Sequence, residues 1–475
     1  MSRHTRIPAV TLSVLAVLLA VTARPTPARG QGFEALILPR PSALNQVEGT
    51  GISPDGVVAG YGWEVDDTSP RLGLRWTPDF GYHDVEAPQM NGHLTSVVFN
   101  GIDPVTNWPF GAARGLDTAN AIHAIQVDEI VADNNIVGVF RARWSDRNPP
   151  GVSASEMLGG VHEFRVGSAV PPGGSFPHAL LWDTFQWGTE DLHPSGFTYS
   201  KAAAVTARIM GGIADVKIAG WAEHNGVDRA IKWSSDGVAG GFLAPFDVQP
   251  SGYDGSRAYG ISSRWTVGTA SPAGSGGWHA MSFDSPVTDL NPPWAVNSTA
   301  VGASEAGIVG YSGVSPFGRT ALYWSDADPN QVTDLHQFVP SDFIASYALA
   351  INDAKQIVGT AVDSNGERHA VLWRPLRLFS LGFRPGFARY AQMVTAYVFL
   401  EKPAPTGGLR IRLSPSMSLN ANAWSLQGDV VVLEGQTSAK FSVATIERRP
   451  PTPVRATITA TWGEEIRRVT LTITP

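Results

Sequence analysis

The stretch AINDAKQIVGTAVDSNGERHAVLWRP, residues 350–375, decides the fold. It reads as two apolar strands on either side of the polar turn DSNG, whose composition suits a hairpin. In the segment HAVLW, alternate residues face opposite ways, and both faces are mainly apolar. A middle strand that lies between two neighbouring sheets requires this pattern, so the stretch predicts a structural element rather than an active site.

The stretch belongs to a set of six copies. Each copy has an apolar pair before a glycine, a polar turn, and then an alanine flanked by apolar residues and an aromatic. The glycines are Gly60, Gly138, Gly220, Gly268, Gly310 and Gly359. The closing aromatics are Trp76, Trp182, Trp233, Phe283, Trp324 and Trp373. A period near 50 residues with four short strands is typical of a β-propeller blade.

One interval leaves the number of blades open, because Trp76 and Trp182 are 106 residues apart. Two insertions, at residues 86–118 and 141–177, would account for the excess and leave a single blade there. We therefore predict six blades, with seven as the alternative. The last copy lacks an outer strand, and we expect Phe33–Arg40 to supply it by pairing beside His369–Trp373. Such closure would remove an exposed sheet edge.

From about residue 376 the repeat stops and long alternating strands begin. About 100 residues with some seven strands are typical of an immunoglobulin-like β-sandwich. The predicted fold class is all-β, with a signal peptide at residues 1–31, a β-propeller at 32–375 and an Ig-like β-sandwich at 376–475.

The repeats resemble those of bacterial extracellular HAF-repeat proteins, whose units carry a similar IN…G.IVG…HA.LW pattern. The signature stands here as His178-Ala179-Leu180, His279-Ala280-Met281 and His369-Ala370-Val371. Two copies depart from it, at Arg229-Ala230-Ile231 and Thr320-Ala321-Leu322. The resemblance implies a secreted propeller and brings no catalytic residues. The last hundred residues, with KPAPTGG and the terminal VTLTIT, resemble Ig-like modules of secreted bacterial proteins.

The N-terminus has the form of a secretory signal. Arg3 and Arg6 precede an apolar run over residues 7–21 that is short for a membrane span. Cleavage near Gln31 would change the net charge from -7 to -11, because it removes four arginines and no acid. This charge argues against nucleic acid as a partner. The chain has no cysteine, which excludes disulfides, thiolate metal sites and a cysteine nucleophile.

The polar motifs favour structural roles. Asp191 and His193, like Asp334 and His336, form Asp-x-His pairs on different blades, and we interpret them as strand-end caps rather than metal ligands. The histidine of the HA motif repeats around the ring, whereas a catalytic site needs unlike groups that converge once. The turn DSNG lacks the full oxygen series of a calcium loop. No cofactor, metal site or catalytic residue is therefore assigned.

Three tryptophans outside the core strands are the candidate ligand-binding residues: Trp108, Trp187 and Trp294. Each is also compatible with packing over a blade rim. The expected function is a secreted, monomeric, non-catalytic binding or surface-interaction protein, with an extracellular glycan or a protein as partner. It would lie outside the cell or in the periplasm. The alternative is a polysaccharide-acting hydrolase or lyase, which a cluster of Asp, Glu, Tyr or His with shifted pKa values at the axis would favour.

Overall fold

A computed structural model describes the chain over residues 32–64, 70–78, 82–85, 96–104, 106–114, 121–132, 140–183, 188–210, 213–235, 245–313, 315, 318–326, 328–376, 378–384, 386–404, 408–417, 428–445, 450–462 and 465–475. The chain is all-β. Within these ranges the helical structure is one 3-10 turn, His336–Phe338. No helix there has the length and apolar character needed to cross a membrane.

Residues 33–375 form a series of short antiparallel strands. The first nine are β1 (Phe33–Ile37), β2 (Gln46–Ile52), β3 (Val58–Trp63), β4 (Leu72–Trp76), β5 (Tyr82–Val85), β6 (Ser96–Ile102), β7 (Pro109–Arg114), β8 (Ile122–Ala132) and β9 (Phe140–Asp146). The next eight are β10 (Ala154–Val161), β11 (Phe164–Val170), β12 (His178–Asp183), β13 (Gly188–Asp191), β14 (Ser200–Met210), β15 (Ile213–His224), β16 (Val227–Ser234) and β17 (Phe246–Asp247). The last eleven are β18 (Tyr253–Ile261), β19 (Thr266–Pro272), β20 (His279–Ser282), β21 (Thr288–Asp289), β22 (Ser298–Ser304), β23 (Gly307–Ser312), β24 (Thr320–Ser325), β25 (Val332–Asp334), β26 (Phe343–Ile351), β27 (Ile357–Asp363) and β28 (Arg368–Pro375).

These strands group into four-stranded units in which consecutive strands pair. Units one to six are β2–β5, β6–β9, β10–β13, β14–β17, β18–β21 and β22–β25, and unit seven is β26–β28 with β1. Each unit contacts the next mainly through the first strand of the later unit. Unit seven contacts unit one in the same way, including a parallel pair between Gln46 and Arg368. The series of contacts is therefore closed.

The predicted closing strand is confirmed. β1 runs antiparallel to β28, with Phe33 opposite Pro375 and Ile37 opposite Val371. Phe33 is fully buried, and its ring packs edge-on against Tyr323 with centroids 5.4 Å apart. The strand thus fixes the last unit with residues from the other end of the chain.

The predicted insertions are wrong. Residues 141–177 contain β10, β11 and most of β9, and residues 86–118 contain β6 and β7, so both regions supply strands of regular units. Gly138 lies outside the described residues, and in units two and three the position of the repeated glycine is filled by Gly111 and Gly167. An HA motif at His123-Ala124 also belongs to the set. Among the residues that the structure describes, the four-stranded units therefore number seven.

The repeated glycine lies opposite a β-bulge in the first strand of its unit. In every unit the first strand shifts register by one residue, as between Ala348 and Ala350 in unit seven. The bulge turns the carbonyl oxygen of Tyr347 toward Gly359, and a Cβ at Gly359 would overlap that oxygen. The same clash with a first-strand carbonyl occurs at Gly60, Gly111, Gly167, Gly220, Gly268 and Gly310.

Tryptophan indoles tie each unit to the one before it. Trp324 Nε1 donates to the main-chain carbonyl of Leu290, the residue after the outer strand of unit five, at 2.9 Å. Four other closing tryptophans make the same bond, at 2.7–3.1 Å: Trp76 to Pro39, Trp182 to Arg147, Trp233 to Leu192 and Trp373 to Leu335. Because these indoles are buried, each N–H needs such a partner. The tryptophan at the end of each of these copies therefore bonds its unit to the preceding one.

Residues 378–474 form two further sheets. Their strands are β29 (Leu378–Arg384), β30 (Phe387–Arg389), β31 (Met393–Leu400), β32 (Leu409–Met417), β33 (Asp429–Val432), β34 (Ser438–Ala444), β35 (Val454–Trp462) and β36 (Glu465–Thr474). One sheet has the order β29-β31-β34 and the other β30-β36-β35-β32-β33. Val398 and Phe441 of the first sheet share a buried cluster with Ile411 and Ile458 of the second. The two sheets therefore pack face to face, and no described strand of theirs joins a repeat unit.

Candidate functional site

A hydrogen-bond network repeats between neighbouring units. In units two to six an aspartate ends the fourth strand, and its Oδ1 accepts the N–H of the residue two positions later, at 2.8–2.9 Å. In units two to five its Oδ2 pairs with the His or Arg that opens the HA motif, as in Asp191 with His178 at 2.8 Å. The strand-end caps predicted for Asp191 and Asp334 are confirmed. The HA histidines are hydrogen-bonded strand residues, also as predicted.

The network then crosses to the next unit. The residue two after the aspartate contacts a serine in the following first strand, and that serine accepts the N–H of the HA alanine. In unit five Asn291 Oδ1 accepts from Ser298 at 2.5 Å, and Asn291 Nδ2 donates to the carbonyl of Ala295 at 2.8 Å. In unit three His193 makes the equivalent contacts, with Nδ1 2.8 Å from Ser200 Oγ and Nε2 3.0 Å from the carbonyl of Phe197.

The equivalence with Asn291 fixes the tautomer and the protonation state of His193. A carbonyl accepts only, so Nε2 carries the proton, and Nδ1 takes the accepting role that Asn291 Oδ1 has. Burial, and then the neighbouring His178 ring stacked at 3.9 Å, lower the pKa of His193 below 6.5. His193 is therefore a neutral structural bridge, although Ser, His and Asp stand together here. Ser200 is fully buried, which removes it from any substrate.

One group of potential metal ligands lies at the DSNG turn between β27 and β28. Oxygen or nitrogen atoms of Asp363, Glu367 and His369 lie within 4.8 Å of one another. Asp363 Oδ1 accepts the N–H groups of Asn365 and Glu367, both at 2.9 Å, and Oδ2 lies 3.0 Å from His369 Nε2. Glu367 is held by Arg40 at 2.8 Å. Each ligand already has a partner, so the geometry is that of a capped turn.

The two predicted tryptophans that the structure describes, Trp108 and Trp294, are not brought together. Trp108 is half-buried before β7 and packs against the core between units one and two. Trp294 is 44% exposed in the connection between units five and six. Trp187 lies outside the described residues. Trp108 sits at the end of the units where the first strand turns into the second, and Trp294 at the opposite end.

That opposite end, where the second strand finishes and the third begins, is called the upper face here. Three positions of the repeat meet near it: the first-strand residue opposite the residue after the glycine, that second-strand residue itself, and the residue before the HA motif. In order of units they are Glu48, Tyr61 and Arg71; Val98, Ala112 and Ile122; Glu156, Ser168 and Pro177; Lys201, Trp221 and Asp228; Arg257, Thr269 and Trp278; Thr299, Tyr311 and Arg319; and Tyr347, Thr360 and Arg368. We call these 21 residues the upper layer.

The upper layer differs from unit to unit, whereas the glycine, the second residue of the HA motif (alanine, or Gly73 in unit one) and most of the outer-strand aspartates are constant. Constant positions hold the fold, and positions that vary give the unlike, convergent groups that a binding site needs. The layer is rich in aromatic and charged residues outside unit two, where Val98, Ala112 and Ile122 are apolar. It is therefore the candidate functional site.

At the boundary of units seven and one, four layer residues form what we call the Glu48 cluster. Glu48 Oε2 accepts from the Tyr61 hydroxyl and Oε1 from the Tyr347 hydroxyl, both at 2.9 Å. Arg368 Nη1 lies 3.1 Å from Oε1. The Glu48 side chain is 13% exposed, so its carboxylate is enclosed by three donors.

The electrostatics of the Glu48 cluster disfavour proton transfer. Burial, and then the charge of Glu48, raise the pKa values of both Tyr61 and Tyr347 well above the ordinary value of 10. Phenols of this kind keep their protons at neutral pH and serve as hydrogen-bond donors. A catalytic acid or base works best with a pKa near the operating pH, and these shifts go the opposite way.

A second polar group joins units four and five. Asp228 pairs with Arg257 and accepts from the hydroxyl of Tyr199. Burial, and then this bond, raise the pKa of Tyr199 to about 12. The Arg257 guanidinium also lies over the rings of Trp221 and Trp278, with Cζ 5.9 and 5.8 Å from their centroids. At the boundary of units three and four, Glu156 pairs with Lys201 at 2.6 Å.

The sequence reasoning missed the upper layer. The signal was present, because aligning the copies on the glycine and the HA motif exposes the variable positions. The contacts between units could not be read from the sequence, because they depend on how the closed series of units brings distant residues together. No family model matches the chain, and a search of curated proteins finds no match either.

Proposed function

We propose that the chain is an exported, non-catalytic binding protein: a seven-bladed HAF-type β-propeller at residues 32–375, followed by an Ig-like β-sandwich at 376–475. Seven similar units in closed sequential contact support the propeller. Two face-to-face sheets around one core support the sandwich. Export rests on the sequence pattern of residues 1–31, which lie outside the described ranges.

The observation that carries a binding role is the upper layer. Its aromatic and charged side chains vary on an otherwise regular scaffold, and rigid scaffolds commonly present binding groups in this way. Trp221, Trp278 and Tyr311 are half-buried, so part of each ring surface remains accessible. An extracellular glycan is the ligand class that fits such rings next to charged groups on an exported protein.

The polysaccharide-acting enzyme is less well supported. It requires a free acid and base, whereas the three carboxylates of the upper layer, Glu48, Glu156 and Asp228, are each held by a cation. The tyrosine pKa values of the Glu48 cluster are shifted, yet upward. An upward shift keeps these phenols protonated, so it does not prepare them to act as catalytic acids or bases near neutral pH.

The test is a thermal-melting screen of residues 32–475 against neutral and acidic polysaccharides, followed by product analysis. Binding at 100 times Kd stabilises the folded state by about 2.7 kcal/mol, which a melt detects. We expect one class to raise the melting temperature without release of products. Trp278→Ala should abolish the rise, while Phe379→Ala, at a 68% exposed site on the sandwich, should keep it. New reducing ends would establish the enzyme, and a flat screen would refute glycan binding.

A further inference from the structure

The charges of the upper layer do not balance. Five of its residues are basic (Arg71, Lys201, Arg257, Arg319 and Arg368) and three are acidic (Glu48, Glu156 and Asp228). Each acid is paired with a base, as described above. Two guanidinium groups are left over, although the whole chain has a net charge of -7. The excess of positive charge is therefore local.

The two unmatched groups are Arg71 of unit one and Arg319 of unit six. Neither forms an ion pair with any residue that the structure describes. Six other arginines of the repeat region have carboxylate partners: Arg40 with Glu367, Arg165 with Asp103, Arg229 with Asp247, Arg257 with Asp228, Arg368 with Glu48 and Arg374 with Glu34.

Aromatic rings hold both guanidinium groups in place. Arg71 Cζ lies 4.8 Å from the ring centroid of Trp63 and 5.4 Å from that of Tyr61. Arg319 Cζ lies 4.3 Å from the centroid of Tyr311. Stacking uses the face of a guanidinium and leaves its N–H edge able to donate, so the donors are oriented before any ligand arrives.

Arg319 provides a further and independent sign. Its Nε is buried, and it donates to no acceptor among the described residues. Buried donors in folded proteins almost always have a partner, because an unmade bond to a charged group is costly. The Arg319 guanidinium is therefore uncompensated in charge and short of one hydrogen bond, and an oxyanion that meets its Nη groups would balance the charge.

Both arginines adjoin the Glu48 cluster from opposite sides. Arg71 stacks on Tyr61, and Arg319 Cζ also lies 5.4 Å from the ring centroid of Tyr347. These two tyrosines bond the two oxygens of the same carboxylate. The unmatched charges therefore belong to one region, which spans units six, seven and one.

From this arrangement we propose that Arg319 and Arg71 bind the carboxylate groups of an acidic saccharide, a uronate-containing glycan, at the upper face. The proposal rests on the glycan-binding function proposed above and specifies its ligand. A guanidinium edge matches a planar carboxylate with two parallel bonds. Two such sites on different units suit an extended ligand with repeated carboxylates better than a single small anion.

The experiment compares an oligogalacturonate with a neutral galactose oligomer of equal length, by calorimetric titration of residues 32–475 at low and high salt. We expect the acidic oligomer to bind more tightly and to lose affinity as salt rises. Arg319→Gln should weaken it by about 10- to 100-fold, since bonds to charged groups are worth about 1.5–3 kcal/mol. Arg71→Gln should act in the same direction.

The matched control is Arg410→Gln, the same change at a 73% exposed arginine of the sandwich, which should leave affinity unchanged. Arg319→Lys keeps the charge and loses the paired donors, so it should fall between wild type and Arg319→Gln, and it serves if the glutamine variant does not fold. Equal affinity of wild type and both glutamine variants would overturn the proposal. Tighter binding of the neutral oligomer would also overturn it, although glycan binding itself would then still hold. Tighter binding of polyglutamate would overturn it as well.

Discussion

Replacing His193 with asparagine tests whether this histidine is a neutral bridge. Its two nitrogens contact Ser200 and the carbonyl of Phe197, and Asn291 makes the same two contacts in unit five. At pH 8 we therefore expect His193→Asn to change the free energy of unfolding by less than about 0.5 kcal/mol. His193→Leu leaves the Ser200 hydroxyl and the Phe197 carbonyl without this partner, and Ser200 is fully buried. At about 1–3 kcal/mol per buried group, and less for the outer carbonyl, the expected loss is about 2–4 kcal/mol.

The pH dependence follows from the lowered pKa of His193. The folded pKa lies below the unfolded value of 6.5, so in this window the unfolded chain binds more protons. Wild type should lose stability as the pH falls from about 6.5 to the folded pKa and should show no further loss from this residue below it. His193→Asn lacks this titration, so the difference between the two proteins should grow over the same window.

Urea unfolding at pH 8, 7, 6 and 5 measures both effects. His336→Asn is the matched control, because His336 Nδ1 lies 3.0 Å from Ser346 Oγ in unit six, where Thr320 replaces the stacked histidine. The reasoning fails if His193→Asn is as unstable at pH 8 as His193→Leu. It also fails if wild type and His193→Asn respond identically to acid.

Three further predictions concern the scaffold, each measured by urea unfolding. Trp324→Phe should lower the free energy of unfolding by at least about 1–3 kcal/mol, because the buried carbonyl of Leu290 loses its hydrogen-bond donor. An unchanged midpoint would mean that this bond does not stabilise the contact between units. Phe33→Ala should cost about 3–5 kcal/mol, because it empties a fully buried site in the closing strand, and a loss below about 1 kcal/mol would contradict closure by this strand. Gly359→Ala should prevent folding or cost more than either, while Gly382→Ala, where a Cβ meets nothing within 4 Å, should be nearly neutral; equal effects of the two would refute the bulge explanation.

The periodic part of the fold was predictable from sequence, because the repeat imposes the same packing problem in every unit. Gly359 and most of its equivalents, the HA alanines and the closing strand all follow from the repeated pattern of residue types. Units two and three were misread for a physical reason: Val127 takes the place of the closing tryptophan in unit two, and the segment at 130–138 imitates the glycine strand. The repeat therefore had no aromatic to mark the end of unit two.

The candidate site was not predictable in the same way. Glu48 and Tyr347 are 299 positions apart and meet only because the ring closes. Single-residue reasoning favoured tryptophans beside proline or glycine, and it had no means of pairing residues from the first and last units. A comparison of what varies at equivalent positions would have named the upper layer, though not the contacts within it.

The closing strand β1 also sets a constraint on how the chain folds. Synthesis begins at the N-terminus, so β1 appears first, yet its partner β28 comes more than 300 residues later. Until then an apolar strand has no place in any sheet, and the ring can be assembled only as an open arc. A chain cut anywhere before residue 368 would therefore not be a smaller ring with one unit fewer. It would expose the surfaces of its first and last units, which in the full-length chain lie against other units. This exposure makes incomplete chains prone to aggregate or to be degraded.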